Sequence, residues 1–130
     1  MAGKRAKPAP KALTAVELEM MNVIWRLGPC SVAQVIERLL PQRELAYTSV
    51  STIVRILEQK GFVAGRKEGR GHLYEPIVSK EAYQAQSLQH LVSNVFDGAP
   101  SMLVQRLLDS GSLTPKELAQ IRALLRNKGD

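Results

Sequence analysis

In the stretch AYTSVSTIVRILEQKGF, residues 46–62, hydroxyl, amide or guanidinium groups recur at Thr48, Ser51, Thr52, Arg55 and Gln59. In a helix, positions three and four apart share a face, so these five side chains lie together with almost no acid among them. Short hydroxyls allow close approach to phosphates and base edges, and Arg and Gln hydrogen-bond to both, whereas acids there would repel a nucleic acid. Thr48, at the helix start, reads as a cap. Ser51, Thr52 and Arg55 lie inside the helix, where no cap is needed and Thr is a mediocre helix former; they read as DNA contacts. Three cations follow, Arg66, Lys67 and Arg70 around Glu68, which suit phosphates or a solvated loop.

Other chemistries find no support. Cys30 is the only cysteine, and His72 and His90 lie far apart, so neither a disulfide framework nor a zinc ligand pattern can be assembled. No carboxylate pair has a readable catalytic spacing. Gly65, Gly69 and Gly71 fall in a hairpin, not between a strand and a helix, so they make no phosphate loop. The expectation is a protein without catalytic residues, metal or cofactor, with Cys30 a small core or loop residue and His72 on a strand surface.

The charge of +6 is unevenly placed. Lys4, Arg5, Lys7 and Lys11 supply +4 within residues 1–12, whereas residues 13–78 and 79–130 each carry +1. The segment MAGKRAKPAPKA lacks aromatic and β-branched residues and is expected to be disordered, either a solubilising end or an arm touching phosphates. No stretch approaches the roughly 18 apolar residues of a membrane span, and the N-terminus lacks a secretory apolar core. A cytoplasmic protein is expected.

Three capping boxes position these groups: Thr14 with Glu17, Ser31 with Gln34, and Thr114 with Glu117, the last with Pro115 at the first helical position. From Thr14, Val16, Met20, Val23, Ile24 and Leu27 recur at helical spacing until Gly28 and Pro29, predicting a helix over 15–27. Val32, Val35, Ile36 and Leu39 make a short second helix that Pro41 ends. Val50, Ile53, Val54 and Leu57 predict a third over 48–60, stopped by Gly61. FVAGRK and HLYEPIV, separated by EGRG, read as a β-hairpin with a basic tip. Helices follow over 80–96, 101–108 and 116–126.

Two helices joined by a turn, the second free to enter a major groove, with a basic hairpin after it, is a DNA-reading plan. AYTSVSTIVRILEQKGFV, the hairpin ending in HLYEPIVS, and LTAVELEMMNVIWRLGPCSVAQVIERL before them resemble the penicillinase repressor family over about residues 13–127. The resemblance implies a mainly α fold with a small β-hairpin wing: a winged helix-turn-helix domain over 13–78 and a C-terminal helical dimerisation region over 79–130. It implies a cytoplasmic homodimeric repressor on palindromic promoter DNA. Thr48, Ser49, Ser51, Thr52 and Arg55 would enter the major groove, with the hairpin over the backbone. Ser49 sits toward the apolar flank, where its contact would be a phosphate at the helix start.

The dimer would be built from Leu88, Leu91, Val92, Val95 and Phe96, then Leu103, Val104, Leu107 and Leu108, then Leu118, Ile121, Leu124 and Leu125, too many apolar side chains for an appendage to bury alone. Their alternative fate is to fold back as core of the first domain. Well-studied members are released when a membrane-bound metalloprotease sensor triggers cleavage at an Asn-Phe bond; the matching pair here, Arg106-Leu107, departs from it. A copper-sensing branch uses a terminal cysteine cluster, which Cys30 alone does not supply. The rival reading is a winged-helix module for protein or RNA contact, without sequence-selective, salt-dependent duplex binding.

Overall fold

The computed structural model describes residues 12–39 and 45–128. The element order is α1 (Ala15–Leu27), α2 (Val32–Leu39), α3 (Tyr47–Gln59), β1 (Val63–Glu68), β2 (Gly71–Pro76), α4 (Lys80–Val95), α5 (Pro100–Ser110) and α6 (Pro115–Lys128). The chain forms two compact units, the first ending at Ser87 and the second beginning at Leu88. The tail expected to be disordered, apart from Ala12, and the stop expected at Pro41 lie outside the described residues.

The first unit is a three-helix core closed by the hairpin. Met20, Met21 and Ile24 of α1, Val32, Val35 and Leu39 of α2, and Val50, Val54 and Leu57 of α3 are buried together with Cys30, Phe62 and Val63. The apolar periodicity matches this core with two exceptions in α1: Met21 is fully buried, while Leu27 is exposed at the helix end. All three capping boxes form. In the first, Glu17 Oε1 accepts from the Thr14 amide at 3.0 Å and Thr14 Oγ1 from the Glu17 amide at 3.2 Å. Ser31 with Gln34 and Thr114 with Glu117 repeat the exchange.

Glu17 is also buried, and its charge is matched by Lys60 at 2.5 Å, just past the end of α3. Burial raises the Glu17 carboxyl, but the Lys60 ammonium and the Thr14 hydrogen bonds outweigh it and hold the group below its ordinary range. Lys60 donates as well to the Ala12 carbonyl at 3.2 Å. One ammonium therefore ties the end of α3 to the start of α1.

The hairpin is antiparallel, with Val63 opposite Pro76 and Glu68 opposite Gly71, leaving Gly69 and Arg70 as a two-residue turn. Gly69 has φ +60, the left-handed region that favours glycine. The strands run one residue further toward the tip on each side than the sequence suggested, through Glu68 and Gly71; Arg66 and Lys67 are paired strand residues as FVAGRK implied, and Arg70 alone of the three cations sits in the turn. Main-chain hydrogen bonds between Cys30 and Tyr74, at 2.9 and 2.7 Å, fasten β2 to the α1–α2 connection. Cys30 is buried, and burial pushes its thiol up.

The compact unit extends past the expected boundary at residue 78. Tyr83 of α4 packs edge-on against Phe62 with ring centroids 5.6 Å apart and lies 6.0 Å from Trp25. Its hydroxyl accepts from the Leu13 amide at 3.2 Å, and Trp25 Nε1 donates to the Val78 carbonyl at 2.9 Å. Tyr83 is thus partly buried against the first core.

The second unit holds the end of α4 with α5 and α6. Asp97 (φ +54) and Gly98 (φ +76) break the chain after α4, and Gly111 ends α5 in the left-handed conformation. None of these three helices buries a side chain fully. Leu88, Leu91, Val95, Val104, Leu107, Leu108, Ile121, Leu124 and Leu125 are exposed, while Val92, Phe96, Leu103 and Leu118 are half-buried.

Candidate nucleic-acid interface

Helix α3 buries Val50, Val54 and Leu57 in the core, so its opposite side faces outward by helical periodicity. It has no acid in its first turn, and its cap residue, Ala46, makes no side-chain hydrogen bond. Thr48 is therefore not the cap. The helix begins one residue earlier than expected, at Tyr47, which leaves the Thr48 side chain exposed within the first turn.

A groove of about 610 Å³ runs between α3 and the wing, lined by Tyr47, Ser51, Arg55 and Glu58 from the helix and by Lys67 and Arg70 from the hairpin, among others. Of the expected contact residues, Ser51, Arg55, Lys67 and Arg70 meet here although they come from two elements. Strand alternation explains the choice among the wing cations. Lys67 shares a strand face with Gly65, whereas Arg66, opposite Leu73, projects to the other face. There Arg66 is matched by Glu68 at 3.4 Å and Glu75 at 3.5 Å.

The remaining helix positions do not line this groove. Thr48, Ser49, Thr52 and Gln59 are exposed on α3. The Thr52 hydroxyl donates to the Thr48 carbonyl at 2.8 Å, the back-bond common for Thr inside a helix. Its proton is thus committed, and what Thr52 offers outward is its methyl group and an acceptor lone pair. Ser49, expected toward the apolar flank, is exposed.

Tyr47 and Glu58 escaped sequence reasoning. Tyr47 is 59% exposed, unusual for an aromatic side chain, and precedes Ser51 and Arg55 at spacings of four and eight on one helix line. That spacing is legible in the sequence, but a helix start at 48 hides it. Glu58 is the one carboxylate lining the groove, and its Oε2 accepts from the Gly65 amide at 3.3 Å. Glycine is required at residue 65 by its cross-strand partner. A Cβ on residue 65 would lie 2.7 Å from the Tyr74 ring.

Among the described residues no group of three or more His, Cys, Asp or Glu is placed to hold a metal, and no helix is long and apolar enough to cross a membrane. His72 lies exposed on β2, its ring stacked 6.2 Å from that of Tyr74. The groove offers hydrogen-bond donors and positive charge, with no activated nucleophile beside them.

Known proteins share this architecture. A family model described as the penicillinase repressor matches residues 13–127. The methicillin resistance regulatory protein MecI of Mammaliicoccus sciuri is 24% identical over 116 residues, spanning 89% of this chain and 94% of that protein. The penicillinase repressor of Bacillus licheniformis is 24% identical over 113 residues, spanning 87% of this chain and 88% of that protein. The solution structure of the DNA-binding domain of the repressor BlaI superposes with a TM-score of 0.51 at 29% identity, covering 60% of this chain and 94% of that domain. A winged-helix unit with a hairpin wing, followed by three helices and matched along nearly its whole length, places the chain in the penicillinase repressor family.

Proposed function

We propose that this protein is a cytoplasmic, DNA-binding transcriptional repressor that binds a palindromic promoter operator as a homodimer. One observation carries the reading: Ser51 and Arg55 of α3 and Lys67 and Arg70 of the wing converge on one groove, with the helix turned outward by its own apolar face. Arg55 and the hydroxyls of α3 read base edges and adjacent phosphates, while Lys67 and Arg70 hold the backbone and release counterions. Thr48, Ser49, Thr52 and Gln59 stand outside the groove and serve at its margins, where duplex DNA wider than the groove extends over them, while Arg66 is balanced by Glu68 and Glu75 on the other strand face and contributes least.

The exposed leucines and valines of α4–α6 support the dimer, because a two-fold partner covers such faces and sets two reading helices on symmetric half-sites. For release we propose a signal from a membrane-bound metalloprotease sensor, with the Arg106-Leu107 bond as the cleavage candidate. That bond lies inside α5, where Arg106 pairs with Asp109 at 2.9 Å, so cutting it requires local unwinding of the helix.

The test is selection of duplexes from a random library by the full-length protein, followed by titration at several salt concentrations. An enriched inverted repeat is expected, with Arg55→Ala weakening its binding by about 1–3 kcal/mol. Failure to enrich any sequence overturns the repressor reading. Sedimentation as a monomer at micromolar concentration overturns the dimer.

A further inference from the structure

Resting on the repressor reading, we propose that Glu58 is a positioning residue for the wing: its carboxylate holds β1 against α3, so that Lys67 and Arg70 stay aligned with Ser51 and Arg55. In a two-stranded sheet, half the N–H groups of each strand turn away from the partner strand and need another acceptor. For Gly65 that acceptor is Glu58 Oε2. Among the described residues it is the one side-chain hydrogen bond between α3 and the wing strands.

The two strands are therefore held differently. β2 is fixed by main-chain bonds from Tyr74 to Cys30, which no side-chain substitution removes directly. Beyond the Phe62–Val63 corner, the tie of β1 to α3 passes through Glu58. Gly65 is also hemmed in on both sides, since a Cβ there would meet the ring of its cross-strand partner Tyr74 at 2.7 Å and Glu58 Oε2 at 3.3 Å. Lys67 lies two residues further on the same strand face and Arg70 follows at the turn, so a change in the pitch of β1 at Gly65 carries both cations with it.

A second consideration makes the role testable by sign. Glu58 is an acid in a groove otherwise lined by cations and neutral groups, and an acid there repels phosphates. If its charge were all that mattered, alanine and glutamine would both tighten binding. If it positions the wing, alanine loses the acceptor, whereas glutamine keeps an oxygen acceptor and discards only the charge.

Full-length wild type, Glu58→Ala and Glu58→Gln are compared in two measurements. Residual dipolar couplings of the Gly65, Lys67 and Gly71 amides, in free protein, report wing orientation against α3. Affinity is read on the duplex selected by the wild type and on a random-sequence duplex of equal length. The alanine variant is expected to shift the wing couplings and weaken the selected duplex roughly three- to tenfold, the range of one net hydrogen bond. The glutamine variant is expected to keep wild-type couplings and bind at least as tightly as the wild type. Unchanged couplings in the alanine variant, or tighter binding by both variants, overturn the proposal. Failure of the wild type to select any sequence overturns the repressor reading instead, and is told apart because the couplings are measured without DNA.

Discussion

The two units of the chain solve the same problem differently. Through Ser87 the helices are short, yet twelve apolar residues among those described are buried and the polar groups among them are matched: Glu17 by Lys60, the Trp25 indole by Val78, the Tyr83 hydroxyl by Leu13. From Leu88 on, the helices are as regular and as rich in leucine, but none buries a side chain. Regular secondary structure is thus no measure of self-sufficiency. A helix is stabilised mainly by what its apolar face packs against, and the first unit supplies that surface internally while the second leaves it open.

The sharpest way to break the comparison is to remove core from the first unit. Phe62 is fully buried beneath Tyr83, and Phe62→Ala is expected to cost about 3–5 kcal/mol in denaturant unfolding. A loss as small as that of a surface substitution would show the first unit is not the stable one. In the second unit the prediction reverses. Leu124→Glu with Leu125→Glu touches side chains 64% and 65% exposed, so a monomer should tolerate it, whereas a dimer that buries them should dissociate. Each leucine withdrawn from an interface costs about 1.5–3 kcal/mol, which sedimentation registers as at least a tenfold weaker association.

Glu17→Gln tests the polar side of the first core. Half of the Lys60 pair is removed, and because the Lys60 side chain is 20% accessible, about 1–2 kcal/mol is expected, less than for a fully enclosed pair. The pH dependence follows from the direction of the shift. The folded carboxyl lies below its unfolded value, so its contribution is complete above the ordinary carboxylate range and disappears as pH falls through the folded value. Wild type and Glu17→Gln should therefore converge in stability in acid and separate toward neutrality. The smallest effect separates the wing cations. Lys67→Ala with Arg70→Ala should lower the slope of log K against log salt by roughly 0.9 for each phosphate that is no longer neutralised. Arg66→Ala, on the other strand face with two acids, should leave the slope nearly unchanged. Equal effects from both would mean that the groove is not where the duplex lies.

Much of this was legible because it is local. A capping box, a 3.6-residue apolar period and a glycine at a hairpin turn depend on residues within one turn of each other, so Thr14, Ser31, Thr114 and Gly69 announced their elements without any knowledge of the fold. The same locality made Ser51 and Arg55 readable as an outward polar face. The convergence of Lys67 and Arg70 on that face, the separation of Arg66 from them, and the inclusion of Tyr47 and Glu58 required the strand register and the docking of the wing on α3. Likewise Glu17 read as a cap, and only packing made it the buried partner of Lys60, 43 positions away. Local hydrogen bonding and periodicity are written in neighbouring residues, so the sequence by itself determined the elements and the family. Which side chains share a groove or a core depends on packing between residues distant in the chain, and for this protein only the tertiary structure decided it.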